Sequence, residues 1–294
     1  KREVLARCRG IAAEAAPTRV GPAQSEPTPR SGPTRGPLGL TERSPGVHAE
    51  WRKSIFLIEA ETAMKIGIIG AGNIGGTLAR RFRELGHEVF IANSRGPHTL
   101  TDLENETGAV AVTAHEAARA GEVVIVTIPE SKIPNLPADL FAGVPDDTVV
   151  VDTGNYYPRQ RDGRIGPIEE GVPESQWVSD RLGRPVVKAF NNIYADHLLK
   201  KGKPATAEGR IALPVAGDDA NAKAKVLKLV DELGFDGVDA GTLADSWRQQ
   251  PGSPVYTTDR DLEGVQQALL AAVRERRPEW RATDASPGDF DTPR

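Results

Sequence analysis

The stretch "KIGIIGAGNIG", residues 65–75, constrains this chain more than any other feature. A short apolar run leads directly into Gly70, Gly72 and Gly75 in the spacing G-x-G-x-x-G. A helical pattern follows over 73–85 and stops near Gly86. Three spaced glycines alone mean little, because glycine is common. Between a strand and a helix they predict a turn that cradles a pyrophosphate. Gly70 permits the tight turn, Gly72 lets the backbone approach the ligand, and Gly75 lets the helix pack closely on the strand. The anion then sits at the positive end of the helix, among N–H groups that no helical carbonyl satisfies. A purely structural strand-to-helix turn is the competing reading.

The same alternation continues along the chain. "EVFIA" (88–92), "AVAV" (109–112), "VVIVTI" (123–128), "TVVVDT" (148–153), "PVVKAF" (185–190), "RIALPVAG" (210–217) and "GVDAG" (237–241) read as strands. The run at 123–128 is apolar throughout, as a strand covered on both faces requires. Thr113 and Glu116 predict a capping box at a helix start. Ala222, Val226, Leu229, Val230 and Leu233 recur at helical spacing and predict one apolar face, with Asp218 or Asp219 as the N-cap. Such alternation builds βαβ units. The expected fold is α/β: a Rossmann-type doubly wound, mostly parallel sheet with a small C-terminal α/β extension.

Residues 1–63 differ from this pattern. They are rich in Pro, Gly, Arg and Ser and nearly free of apolar periodicity, so a disordered N-terminal extension is expected. Glu3, Glu14, Glu26 and Glu42 argue against a transit peptide, and no secretory h-region is present. Met64, the chain's one methionine, stands directly before the first strand and is expected to be the functional start. The Rossmann-type domain is expected over 64–277, and a polar tail over 278–294. A net charge of −4 argues against nucleic acid as the partner. No apolar run approaches the roughly 18 residues of a membrane span. Cys8 is the only cysteine, which excludes an intramolecular disulfide and a multi-cysteine zinc site. The five histidines lie far apart, and no metal site is expected. The default setting is the cytoplasm.

The second strand ends in "NSRGP". Many nucleotide-binding sheets carry an acid here, which bonds a ribose 2′-hydroxyl and repels a 2′-phosphate. This chain offers Asn93, Ser94 and Arg95 instead. Ser94 can donate to a 2′-phosphate and Arg95 can grip it with a charge-assisted fork, which predicts NADP(H). The alternative is a turn serine beside a solvated arginine. Thr127, Ile128 and Pro129 end the fourth strand and are expected to border the nicotinamide half, since ligands bind beyond the carboxyl ends of the strands. Asp152, Asn155, Lys188, Asn191 and Asn192 are expected at the same edge. Trp247 is either core or a wall for a flat ligand.

The segments "GAGNIGGTLA", "NSRGP", "VTIP", "DTGN", "VVKAFNNI", "PVAGDD" and "DAGTLADSW" together resemble one family. It is that of the NADPH-dependent reductases of the deazaflavin coenzyme F420, with their bacterial relatives. They are also similar to the cytoplasmic NADPH–flavin reductase domain of six-transmembrane metalloreductases. The first segment is generic to dinucleotide folds; the later four, in this order and spacing, are far more specific. The resemblance covers residues 64 to about 260. It implies that Gly70, Asn73, Ile74, Ser94, Arg95, Ile128 and Pro129 hold NADP, joined by Asn155, Ala189 and Asn191. Two segments depart from the deazaflavin pattern. After Pro129 that family usually places an aromatic and a histidine, whereas "PESKIP" has Lys132 there. "KAFNNI" is closer to the metalloreductases, yet no transmembrane half accompanies it.

The expected function is hydride transfer between NADP(H) and a deazaflavin (F420) or flavin (FAD or FMN) acceptor. Cofactors carry such chemistry and the protein orients them, so no catalytic acid–base pair is assigned. Lys132 or Lys188 is the candidate to stabilise charge on a reduced ring. Reduction of a small imine or carbonyl is a second reading, although strands resume after residue 185 where such enzymes continue in helices. A non-enzymatic NADPH-sensing module is a third, and a subunit that needs a separate redox partner a fourth. The expected partner is a small-molecule redox acceptor, with neither nucleic acid nor membrane; a homodimer is left open.

Overall fold

The computed structural model describes residues 63–287. By its internal contacts the chain divides into Lys1–Trp51 and Arg52–Arg294, and every described residue belongs to the second unit. The extension expected over 1–63 lies outside the described residues apart from Ala63, as do residues 288–294 of the expected tail.

Six strands carry the site: β1 (Lys65–Ile69), β2 (Glu88–Ala92), β3 (Val110–Ala111), β4 (Val123–Val126), β5 (Val149–Asp152) and β6 (Val186–Lys188). They pair in the order β3-β2-β1-β4-β5-β6, all parallel. This is the doubly wound order, with its switch point between β1 and β4. Ile69 pairs with Ala92 on one side and Val126 on the other. The three strands therefore end level, and the turns after β1, β2 and β4 open onto one crevice.

Helices cover both faces. They are α1 (Asn73–Glu84), α2 (Thr101–Thr107), α3 (Ala114–Ala120), α4 (Gly166–Glu169), α5 (Glu174–Leu182), α6 (Ala195–Lys200), α7 (Ala220–Glu232) and α8 (Leu262–Leu270). On one face, Leu78, Ala79 and Phe82 of α1 and Val226, Leu229 and Val230 of α7 join Ile66 and Ile68 in the main core. Full burial of each large apolar side chain stabilises by roughly 1.5–3 kcal/mol. On the other face α3 comes so close to β1 that a Cβ at Gly67 would lie 2.1 Å from the Ala117 carbonyl oxygen. The capping box starts α3: Thr113 N–H donates to Glu116 at 2.8 Å and Glu116 N–H donates to the Thr113 hydroxyl at 3.3 Å.

The C-terminal extension is a parallel pair, β7 (Ala212–Val215) and β8 (Asp236–Asp239). It docks on β6 through reciprocal bonds between Lys188 and Ala216, of 2.7 and 3.0 Å. Asp219 caps α7 by accepting from Ala222 N–H at 2.7 Å, whereas Asp218 accepts from Leu243 N–H at 2.9 Å. The two aspartates thus divide between the helix and the turn Leu243–Gln249.

Two expectations change. The fourth strand stops at Val126, two residues early, so Thr127 and Ile128 lie beyond it, only partly buried. Residues 278–287, placed in a polar tail by composition, pack on the body. The Trp280 ring sits 6.2 Å from that of Tyr157 and 6.0 Å from that of Tyr256, and Ala282 N–H donates to Glu169 at 2.8 Å. One aromatic side chain anchors an otherwise polar segment, which average composition does not register. Among the described residues no helix is long and apolar enough to cross a membrane.

Candidate functional site

The turn after β1 fits a pyrophosphate. Gly70 takes φ +115°, and a Cβ on it would lie 2.3 Å from the Thr127 carbonyl oxygen. At Gly75 a Cβ would lie 1.9 Å from the Gly70 carbonyl oxygen. Both glycines therefore shape the turn from beneath. Gly72 is exposed, and a Cβ there would meet nothing within 4 Å, so its backbone faces open space. It is also the N-cap of α1, with no side chain capping it and no acid in the first turn. The first N–H groups and the positive helix end remain available to an anion.

From Gly72 and Asn73 a cavity of about 560 Å³ runs towards Arg95 and Thr99. Asn93 braces this loop. Its carboxamide oxygen accepts from Arg95 N–H at 2.9 Å and its Nδ2 donates to Thr99 Oγ1 at 2.8 Å. Ser94 and Arg95 are both exposed; Arg95 lines the cavity and Ser94 stands beside it in the chain. Arg80 lines the same cavity and was not evident from the sequence. Its Nη1 would lie 3.2 Å from a Cβ at Gly76, so that glycine gives the guanidinium room to lie back towards the helix start.

A second cavity of about 430 Å³ continues from the same Gly72 and Asn73. Ile74, Thr127, Ile128 and Pro129 border it on one side, and Asn155, Asn191 and Tyr194 on another. The structure thus brings Asn73, Ile74, Thr127, Ile128, Pro129, Asn155 and Asn191 to one cleft. Ala189 is not part of it. That residue is fully buried, with its N–H bound to the Asp152 carbonyl at 3.1 Å, and Phe190 reaches the lining in its place. Phe190 has φ +61°, an unusual value for a bulky residue, which turns the chain sharply at the cleft wall.

The amides expected to greet a flat ligand are mostly engaged in building that wall. Asn191 Nδ2 donates to Asn155 Oδ1 at 3.1 Å and to the Gln249 carbonyl at 2.7 Å, while Asn155 Nδ2 donates to the Asn191 carbonyl at 3.0 Å. Asn192 is buried against the same Gln249 carbonyl at 3.0 Å. Trp247 lines a different cavity.

Behind the cleft lies a buried charged cluster. Lys188 Nζ donates to Asp152 Oδ2 at 2.9 Å and to the Gly154 carbonyl at 2.6 Å. Asp152 also accepts from Gly154 N–H at 2.8 Å and Ser175 Oγ at 2.7 Å. Burial opposes the charge on Lys188, but Asp152, Glu130 and Glu174 outweigh it and hold its pKa above the ordinary lysine value. The lysine is fully enclosed and is not placed to meet a reduced ring. Its work is to fix the Asp152–Asn155 turn. Lys132 is exposed and does not line the cleft. Glu130 is fully buried, and neither carboxylate oxygen has a hydrogen-bond partner among the described residues. Burial, reinforced by Asp152, pushes its pKa well above the usual carboxylate range. A Cβ at Gly154 would lie 2.4 Å from Glu130 Oε1, so only glycine fits between the acid and the cleft.

The outer wall joins residues far apart in the chain. The hydroxyls of Tyr157 and Tyr256 are hydrogen-bonded, and both residues line the cleft. Burial, then this bond, raises the Tyr256 pKa far above that of free tyrosine. Arg161 lies 5.0 Å over the Tyr157 ring and donates to the Asn155 carbonyl at 2.5 Å. The adjacent tyrosines of "NYYP" were the only local signal for this wall; nothing near Tyr256 pointed to it.

A glycine turn at the switch point of a six-stranded parallel sheet, opening onto two joined cavities, defines a dinucleotide-binding Rossmann-type protein. Residues 65–156 match the family described as NADP oxidoreductase, coenzyme F420-dependent. It is 28% identical over 185 residues to the metalloreductase STEAP3 of Rattus norvegicus, a match that covers 62% of this chain and 35% of the relative. Among solved structures it is similar to a hypothetical protein, SMa0349, from Sinorhizobium meliloti: 34% identity, 69% of this chain, 98% of that one, TM-score 0.54. A protein of Arthrobacter sp. FB24, provisionally described as an F420-dependent NADP-reductase, shares the fold at 24% identity and TM-score 0.52, covering 63% of this chain and 87% of that one. The chain spans about a third of the metalloreductase and about half of another curated relative.

Proposed function

We propose that this chain is an NADPH-dependent oxidoreductase that moves hydride between NADP(H) and a flat ring acceptor, with deazaflavin F420 first and a flavin (FAD or FMN) second. One observation carries the reading: among the described residues, the lining of the 430 Å³ half of the cleft contains no histidine and no carboxylate. Ring-to-ring hydride transfer requires stacking and distance rather than an acid–base pair. The family description supports F420 as the acceptor. When bound, the nicotinamide supplies or receives the hydride.

The chain's own residues bind, orient and exclude water. Gly72 and Asn73 present backbone N–H groups to the pyrophosphate. Arg95 grips the 2′-phosphate, aided by Ser94. Ile128 and Pro129 give one side of the ring an apolar surface. Lys188, through the Gly154 carbonyl, keeps the opposite turn in place.

A second reading has one observation of its own. The Tyr157–Tyr256 hydroxyl pair at the cleft can donate a proton, as reduction of a carbonyl or imine demands. Single-turnover oxidation of bound NADPH, followed at 340 nm, separates the two. Oxidation by F420, FMN or FAD but not by ketones or cyclic imines is expected. Oxidation only by ketones or imines, abolished in Tyr256→Phe, overturns the first reading in favour of the second.

A further inference from the structure

A cavity of about 350 Å³ lies apart from the cleft and shares no lining residue with either half of it. Residues 250–254, which follow the turn Leu243–Gln249, form one side. Residues 271–277, where the chain leaves α8, form the other, and Trp247 adds an aromatic wall. The volume falls within the roughly 300–1,000 Å³ of small-molecule sites.

Three of its lining residues each carry a buried polar group, just beneath the cavity surface, that lacks a hydrogen-bond partner among the described residues: Arg276 Nη1, Gln250 Nε2 and Ser253 Oγ. They are neighbours. Arg276 Nη2 donates to Gln250 Oε1 at 3.2 Å, and Ser253 N–H donates to the Gln250 carbonyl at 3.0 Å. The guanidinium also settles which way the Gln250 amide points, because only the oxygen can face a donor. All three free groups can therefore donate. Unpaired buried donors are destabilising, a guanidinium N–H most of all, and an acceptor relieves them.

The lining holds Arg274, Arg276 and Arg277 and one acid, Glu275; Arg276 is paired with Glu174 and Arg277 with Glu279, which leaves Arg274 as the lining arginine without an ion pair among the described residues and so the cation open to an anion. Arg276 is held in place by Glu174 at 2.5 Å, so its free Nη1 is fixed in position. Val273 is 77% exposed, an apolar group that an organic ligand can cover. The cavity is linked to the cleft wall: Gly252 in its lining is packed against Trp280, whose ring adjoins Tyr256.

We propose that this cavity is a second binding site, for a small organic anion. Its carboxylate or phosphate meets Arg276, Gln250 and Ser253, and its apolar body lies against Trp247 and Val273.

The test titrates benzoate and phenyl phosphate, with benzamide as the uncharged counterpart of benzoate, into the full chain saturated with NADPH. NADPH keeps the cleft occupied, and calorimetry reads the affinity. Saturable binding of at least one anion, with none of benzamide, is expected; the better of the two anions identifies the headgroup. Arg274→Gln or Ser253→Ala weakens that binding by about tenfold or more, the lower end of what a hydrogen bond to a charged group contributes. Both variants keep the parent's NADPH affinity. Without ligand, Ser253→Ala melts no lower than the parent, because the hydroxyl it removes is unpaired. The proposal is overturned if neither anion binds, if benzamide binds equally well, or if both variants bind the anion as the parent does.

Discussion

Arg80 and Glu106 are clasped in the lining of the 560 Å³ cavity, Nε to Oε1 at 2.6 Å and Nη2 to Oε2 at 2.7 Å. The bond from Arg80 holds the Glu106 carboxyl below its usual pKa, so a carboxylate persists beside the cavity that Arg95 also lines. Two consequences oppose each other: the acid positions one cation and repels an incoming phosphate. Glu106→Gln keeps the shape and removes the charge. NADPH is expected to bind about two- to fivefold tighter in this variant at low salt, with the gain shrinking as salt screens it. Weaker NADPH binding, measured by equilibrium titration, means that ordering Arg80 outweighs the repulsion.

Arg95 is exposed at the end of the same cavity, with its backbone tied to Asn93. Its side chain is free to meet a 2′-phosphate. Arg95→Ala should weaken NADPH by about ten- to a hundredfold, the contribution of a hydrogen bond to a charged group. NADH should be nearly unaffected. An equal loss for both cofactors, in parallel Kd measurements, assigns Arg95 to holding the loop.

Glu130 makes stability depend on pH. Its folded pKa is raised above the ordinary 4.5, so the native chain holds this proton more tightly than the unfolded one. That contribution is complete below the ordinary value and is lost as pH rises through the raised one. Glu130→Gln removes the titration. The variant should gain stability relative to the parent as pH rises from the ordinary value of 4.5 through the raised one, read from urea unfolding. A constant difference across that range would falsify the assignment of a neutral Glu130.

The buried pair behind the cleft predicts a coupling. Lys188→Met leaves Asp152 enclosed without its cation and should cost about 3–5 kcal/mol. Adding Asp152→Asn should recover part of that loss, because the orphaned charge goes too. Additive losses in the double variant indicate that the two residues act separately.

The opposite turn depends on glycine. Gly154→Ala drives a Cβ to within 2.4 Å of the Glu130 carboxylate and should destabilise by about 1–3 kcal/mol. Glu130→Ala in the same chain opens the space and should restore part of the stability. Thermal melts of the single and double variants read both effects.

Local patterns determined much of this protein from its sequence alone. Period and punctuation gave away β1 with its glycine turn, the apolar β4, the capped α3 and the apolar face of α7, because each depends on neighbours within a few residues. From those the parallel sheet and its crevice follow. The loop beside the glycine turn was legible too, since Ser94 and Arg95 stand together in one short stretch and Arg95 lines the cavity. Tertiary structure decided the rest. Lys188 reads as a polar end to an apolar strand, and only the pairing of β5 with β6 shows that Asp152 receives it. Nothing local marks Glu130, which packing alone encloses. Tyr157 and Tyr256 meet across 99 residues, and Trp280 joins them from a segment that looks like a tail. Local periodicity reports which face of an element is buried, whereas these contacts depend on where separate elements dock.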